Sequence, residues 1–446
     1  MPATSGTVLE VNQTGIANDL NGGGFDQSNA GSLGNDMTYG STAAVVSGAA
    51  SSSNTTTVSA TWATASMQGN LLNVPGYGTG TIVAVSAGVG FTLNAAIGTF
   101  TSVTSYVGGP KASPGAAFGL LVQGNKLYWA QGTYNATSAT ANVSGGVISV
   151  PSVNNLLIQG YGTSRTDFSG KPTLVATLAS QTLFTTSGTQ MSAMDNMAMN
   201  GNSQAGSIGW NVAGYFVLSN CDNLNTTSKG FVASDVMTLV KCFGKGCSGQ
   251  APFYGGSATY RYCVAVNNSV NGFDGTPTVV ERCISANNTG IGFNLGNQFE
   301  GFTSQCVAYG NTGDGIASSQ CQYLNNSISA NNGGTGFNSP SSYVPSGFLE
   351  NNAAFSNTGG NYLAATSNNI QRNNITLTAG PFANPTMAIN SWADAFAAFA
   401  LNNTAGGGAL CRGAGTPQYL DIGAVQHQDS GGGGGVPRIV VPRRIW

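Results

Sequence analysis

The stretch CVAVNNSVNGFDG, Cys263–Gly275, packs a cysteine, an asparagine pair and a Gly-Phe into one short run, and CISANNTGIGF, Cys283–Phe293, repeats it. In both, Asn-Asn stands four and five residues after the cysteine and Gly-Phe nine and ten after it. Aligned on the cysteine or its equivalent, units start at 200, 221, 242, 263, 283, 306, 327 and 352, at intervals of 20 to 25 residues and about 22 on average. A period in this range marks a stack of supersecondary units, each burying its apolar face against the next.

The units are made of strands. Segments such as TYRYCVAV and TVVERCIS alternate over four to six residues between Asn and Gly turns, and none holds the ten or more residues of 3.6-period pattern that a crossover helix needs. The L-x-x-L-x-L spacing of leucine-rich repeats is missing. A coil of three short strands, repeated every 22 residues or so, predicts an all-β chain built as a right-handed parallel β-helix, with equal positions of successive coils stacked ~4.8 Å apart.

Register assigns roles to the repeated residues. Cys221, Cys242, Cys263, Cys283 and Cys306 share one position, so they are expected as an inward column of free thiols filling a narrow interior. Asn267, Asn268, Asn287, Asn288, Asn331 and Asn332 fall at a bend, where Asn tolerates left-handed backbone and its amide reaches the next coil. Phe231, Phe273, Phe293 and Phe337 read as an interior aromatic stack, with a surface track for sugars as the alternative. The glycine before each is expected to supply a turn of positive φ.

Composition agrees with an elongated body. The chain has 446 residues, 41% hydrophobic and only 7% charged, with 65 glycines and a net charge of −2. The apolar supply suffices for a core, and the charge balance gives no electrostatic case for nucleic acid. The start, MPATSGTVLEVNQTG, lacks a basic then apolar leader, and no apolar run approaches the ~20 residues of a spanning helix. The expectation is a soluble protein made in a cytoplasm, without membrane insertion, its eight cysteines reduced.

Three regions are distinguished: a β-rich N-terminal attachment or oligomerisation domain over 1–110, the β-helix over 111–426, and a Gly-rich linker with a basic, apolar arm over 427–446. The segment NKLYWAQGTYNATSATANVSGGVISVPSVNNLLIQGYGTSRTDF and the later FALNNTAGGGALCRGAGTPQYLDIGAVQ, Phe399 to Gln426, resemble the first coils and the terminal, last-coil-closing segment of right-handed β-helix proteins of the pectate-lyase-like superfamily. Ahead of them, NGGGFD (Asn21–Asp26) and GVGFTLNAAIGTFTSVTSYVGGPKASPG resemble the front part of β-helical proteins encoded by tailed bacteriophages. That resemblance implies a virion-surface role, as head decoration, head fibre or tail spike, in a homotrimer.

Catalytic signals are sparse. The single histidine, His427, lies past the terminal motif, and sixteen acids are scattered without an Asp-Asp pair. Neither the calcium carboxylates of pectate lyases nor the Gly-His-Gly of polygalacturonases carries over, and no cofactor or metal is expected. Because stacking brings distant residues together, a glycosidase-type carboxylate pair is sought among Asp274, Glu281, Glu300 and Asp314. Arg261 and Glu281, however, share one offset in adjacent coils, which also fits a surface ion pair. Arg438, Arg443, Arg444 and Trp446 are partner-contact candidates, the arm either folding back on its own coil or an adjoining copy, or docking on another virion protein. Two classes of function stand: a structural or adhesive virion component, which is preferred, and a tail-spike hydrolase or lyase acting on host surface polysaccharide.

Overall fold

The computed structural model describes residues 8–16, 47–68, 71–74, 76–108, 114, 118, 121, 123–136, 148–150, 154–163, 166–186, 189–233, 236–296, 301–318, 323–338, 347–363, 369–416 and 420–426. Glu300, His427 and the arm residues Arg438, Arg443, Arg444 and Trp446 lie outside the described residues.

Short strands recur three per coil and pair only with their equivalents in the neighbouring coils, always parallel. In the coil opened above, Thr259–Arg261 joins a first sheet, Val264–Val266 a third and Phe273–Thr276 a second. Among the described residues the three sheets hold twelve, eleven and nine strands respectively. This is the right-handed parallel β-helix the period predicts.

The corner between the first and third sheets is a single residue of left-handed backbone, Lys241, Tyr262, Arg282 and Gln305 in successive coils. The next residue is the cysteine of the repeat. Cys221, Cys242, Cys263, Cys283 and Cys306 are free, fully buried and part of one core. Each thiol faces two carbonyls, Cys263 Sγ lying 3.4 Å from Leu239 O in the preceding coil and 3.5 Å from Arg261 O. The position equivalent to Cys221 one coil earlier is Met197, because Asp222 N bonds to Met197 O at 2.8 Å. The first repeat therefore starts three residues before the expected 200, and its turn is longer.

Between the third and second sheets the asparagine pair divides its work. Asn267, Asn287 and Asn331 adopt φ of 54, 55 and 56°, and Asn268, Asn288, Asn311, Asn332 and Asn357 behind them form a buried ladder in which each Nδ2 donates to the next Oδ1 or, at the end, to Asn361. Then come the aromatic rings. Trp210, Phe231, Phe253, Phe273 and Phe293 stack in the interior at centroid spacings of 5.7, 5.1, 4.5 and 4.7 Å, so the repeated phenylalanines are core and not a sugar track.

The glycine before each ring departs from expectation, since Gly272, Gly292 and Gly315 do not have positive φ. Their requirement is space. A Cβ at Gly272 would sit 2.0 Å from Ser285 Oγ, at Gly292 2.5 Å from Gly315 O, and at Gly315 2.0 Å from Ser329 Oγ. The ladder and the serine hydroxyls beneath it fill the volume that any side chain would occupy.

Two further features position the surfaces. Strand Val8–Ile16 pairs with Lys126–Ala130 of the first sheet and so belongs to the helix, whereas the six strands between Ser47 and Gly108 close an antiparallel barrel around Val58, Leu72, Ile82, Phe91 and Val107. The barrel is thus an insertion after the helix's first strand, and the 1–110 boundary divides accordingly. At the other end, residues 377–416 and 420–426 do not close the last coil. They run back along the outer face of the third sheet, where Leu377, Phe382, Ile389, Phe399 and Ile422 pack on Phe243, Val264, Ile284, Val307 and Ile328. Polar contacts fix both ends of this strap: Lys245 Nζ donates to Ile389 O at 3.0 Å, and Gly423 N to Asn326 O at 2.7 Å.

Candidate functional site

Strand alternation sends every second residue of the first sheet outward. One outward column runs Arg261, Glu281, Ser304, Asn325, Glu350, Arg372 and the other runs Thr259, Val279, Phe302, Tyr323, Phe348, Ile370, each step being one coil. The third sheet is roofed by the strap. The first sheet's second column leaves Phe302 38%, Tyr323 41% and Ile370 37% exposed. Phe348 stacks on Tyr323 at 5.0 Å and 19°, and the Arg372 guanidinium lies 5.7 Å over the Phe348 ring.

The three described candidate carboxylates stand on different parts of the coil and are each engaged. Glu281 is in the first sheet, paired with Arg261 at 3.1 Å, the ion pair its offset allows. Asp274, in the second sheet, accepts from Asn271 and Asn294 side-chain amides at 3.0 Å each. Asp314 lies in the turn leading to that sheet and accepts from Thr335 N and Asn338 Nδ2, both at 2.7 Å. It does there what Asn271 does two coils earlier, where Asn271 Oδ1 accepts from Ile291 N at 2.8 Å. Apart from the Asn271–Asp274 bond, which lies within one coil, these contacts tie coil to coil.

A different acidic cluster, missed in the sequence, forms at the corner between the first and third sheets. Lys171 Nζ lies 2.6 Å from Asp222 Oδ1, with only 22% and 20% of the two side chains exposed. Burial pushes the Asp222 carboxyl upward while Lys171 pulls it back. Asp195, half-buried at the end of its strand, is also raised by burial, against a Ser219 hydrogen bond and the charges of Lys171 and Lys241. Asn196 holds the corner, donating to Gly160 O at 3.1 Å and Gly170 O at 2.8 Å. In sequence Lys171 and Asp222 lie 51 residues apart; the only signal linking them is coil register, which fails there because the turns are longer than the repeat.

Among the described residues no group of three or more His, Cys, Asp or Glu is placed to hold a metal ion, and no helix is long and apolar enough to cross a membrane.

No family model and no curated protein matches the chain. Solved structures similar to it include pectate lyase Pel9A, at 16% identity and TM-score 0.46 over 72% of this chain and 92% of that one. A rhamnogalacturonan lyase follows at 13% and 0.41, over 60% and 83%. ORF18 of Geobacillus virus E2 shows 13% identity and TM-score 0.28 over 58% of this chain and 55% of its own. The likeness concerns the β-helix, which the sheet order itself establishes.

Proposed function

We propose that this chain is a structural, adhesive component of a bacteriophage virion surface, a head decoration, head fibre or tail spike that holds the particle through its terminal parts and presents the β-helix to the host, as a homotrimer. The observation that carries the reading is the engagement of Glu281, Asp274 and Asp314 in contacts between coils. Charged groups used this way stiffen a rod and leave it a largely uncharged Asn, Ser and Thr surface, suited to exposure. The inserted barrel, with its own core, is a ready attachment module, and the N-terminal resemblance to phage-encoded proteins supports the setting. Deleting 47–108 should abolish incorporation into particles while the helix stays folded, and deleting 431–446 should weaken assembly without lowering the helix's melting temperature. Particles that incorporate both deletions normally would sink the proposal.

The corner of Lys171, Asp195 and Asp222 favours a second reading, a polysaccharide hydrolase or lyase. A half-buried carboxyl that burial makes hold its proton more tightly, within the field of an ammonium, is the kind of group that exchanges protons with a glycan. Release of new chain ends from host polysaccharide, abolished by Asp195→Asn and by Lys171→Met, would favour it; equal release by the variants excludes the corner.

A further inference from the structure

We infer that the outer face of the first sheet is the surface through which copies of this chain associate side by side, helix axes parallel and coils in register, an inference that rests on the homotrimer of the reading above and names its interface. The three sheets turn unlike faces outward. The third is roofed by the strap. The second carries Asn211, Asp274, Asn294 and Asn338 in one outward column, with Asn294 donating to Asp274 at 3.0 Å. The first stays apolar. Of the twelve large apolar side chains exposed among the described residues, Tyr215, Val217, Phe302, Tyr323 and Ile370 stand on its strands and Val236 one residue before its strand, while none stands on the other two sheets.

These residues form two clusters. Phe302, Tyr323, Phe348 and Ile370 follow one another in four successive coils, and Tyr215, Val217 and Val236 occupy two adjacent coils further up. Thr238, Thr259 and the Arg261–Glu281 pair lie between them. Parallel copies in register lay each cluster on its like and the polar stretch on its like. An antiparallel pair that lays Phe302 to Ile370 on itself leaves the upper cluster beyond the last described coil, and one that lays the two clusters on each other matches two coils with four. Charge does not oppose the contact, because Arg261 stands beside Glu281 and Arg372 beside Glu350, so copies meet without net repulsion and each arginine comes within a coil step of a glutamate of its neighbour. From the strand of Val217 to that of Ile370 the face spans eight strands. At ~4.8 Å each, and ~20 Å across with side chains included, it offers each chain roughly 700 Å² to bury, close to the ~800 Å² per partner of a stable interface. Turned to a common three-fold axis, the faces close the assembly and leave no copy of the patch free.

The test is sedimentation of the full chain at micromolar concentration. A trimer is expected for the parent, for Tyr323→Phe and for Val232→Glu, which is outward on the second sheet. The double variant Phe302→Glu with Tyr323→Glu should associate at least a hundredfold more weakly and sediment as a monomer with the parent's far-ultraviolet β signal. Should that signal be lost, cross-linking decides: Tyr323→Cys chains treated with a short bis-maleimide should join through residue 323, in excess of the parent, because copies in register bring like residues to one height. A trimer that survives the double variant, or Tyr323→Cys chains that do not join, overturns the face and leaves the homotrimer standing. In mixtures, joining of Tyr323→Cys to Val279→Cys or Val217→Cys in preference to itself overturns the parallel arrangement. A parent that sediments as a monomer overturns the inference and the homotrimer together, and incorporation into particles then decides the virion reading separately.

Discussion

Asn311 accepts hydrogen bonds from both the backbone N–H and the side-chain amide of Asn288, at 3.1 and 2.9 Å, one coil apart in a buried ladder. Its own amide passes the pattern on, to Asn332 Oδ1 at 3.0 Å and Ser285 O at 3.1 Å. Every rung therefore satisfies a donor of its neighbour that water cannot reach.

Asn311→Ala should be costly for that reason. It strips the acceptor from the Asn288 backbone N–H, and buried unsatisfied groups cost ~1–3 kcal/mol each. A loss of about 2–4 kcal/mol in urea unfolding is expected, with the whole helix melting as one unit. A change below about 0.5 kcal/mol, the usual effect of a surface substitution, would mean that the ladder contributes little.

The strap should come loose before the helix does. Trp392 stacks on Phe396 at 4.2 Å, lies under Lys241 at 5.2 Å, and donates its indole N–H to Tyr262 O. Trp392→Ala removes all three and should cost about 2 kcal/mol, less than a fully buried tryptophan. The expected signature is new binding of a hydrophobic dye to the uncovered third sheet, with the far-ultraviolet β signal unchanged. Loss of the β signal at the same temperature would instead make the strap part of the folding core.

Asp195 makes stability depend on pH. Burial raises its folded value above the unfolded one, so the folded state holds the proton more tightly. The contribution of this group is complete below the unfolded carboxyl range near ~4 and is lost as pH rises through the raised value. Asp195→Asn should flatten that part of the stability profile and leave the protein more stable than the parent at neutral pH. Urea midpoints across pH 4 to 8 check it; an Asn variant that is destabilised at neutral pH contradicts the assignment.

Arg261 and Glu281, 3.1 Å apart but 51% and 30% exposed, should matter little. A double-mutant cycle to alanine is expected to return a coupling below ~1 kcal/mol that shrinks as salt is added. A larger, salt-insensitive coupling would point to a role beyond the surface.

What the amino-acid sequence determined by itself is what repeats at fixed spacing. A β-helix places equal positions above one another, so period alone assigned Cys263 and Cys283 to one inward column, Phe273 and Phe293 to one stack, and Arg261 opposite Glu281. Glycine was read less well. Gly272 carries no sign that its Cβ space is filled by Ser285 from the following coil, since the cause lies in a neighbour about a period away. The roof on the third sheet left a trace in strands apolar on both faces, Val264-Ala265-Val266 and Val307-Ala308. Which segment covers them was decided only when residues 377–416 and 420–426 turned back. The exposed column of Phe302, Tyr323 and Phe348 and the corner of Lys171 with Asp222 likewise depend on register across coils of unequal length. Local pattern fixes which way a side chain points; the turn lengths fix its neighbours, and these emerge only when the coils stack.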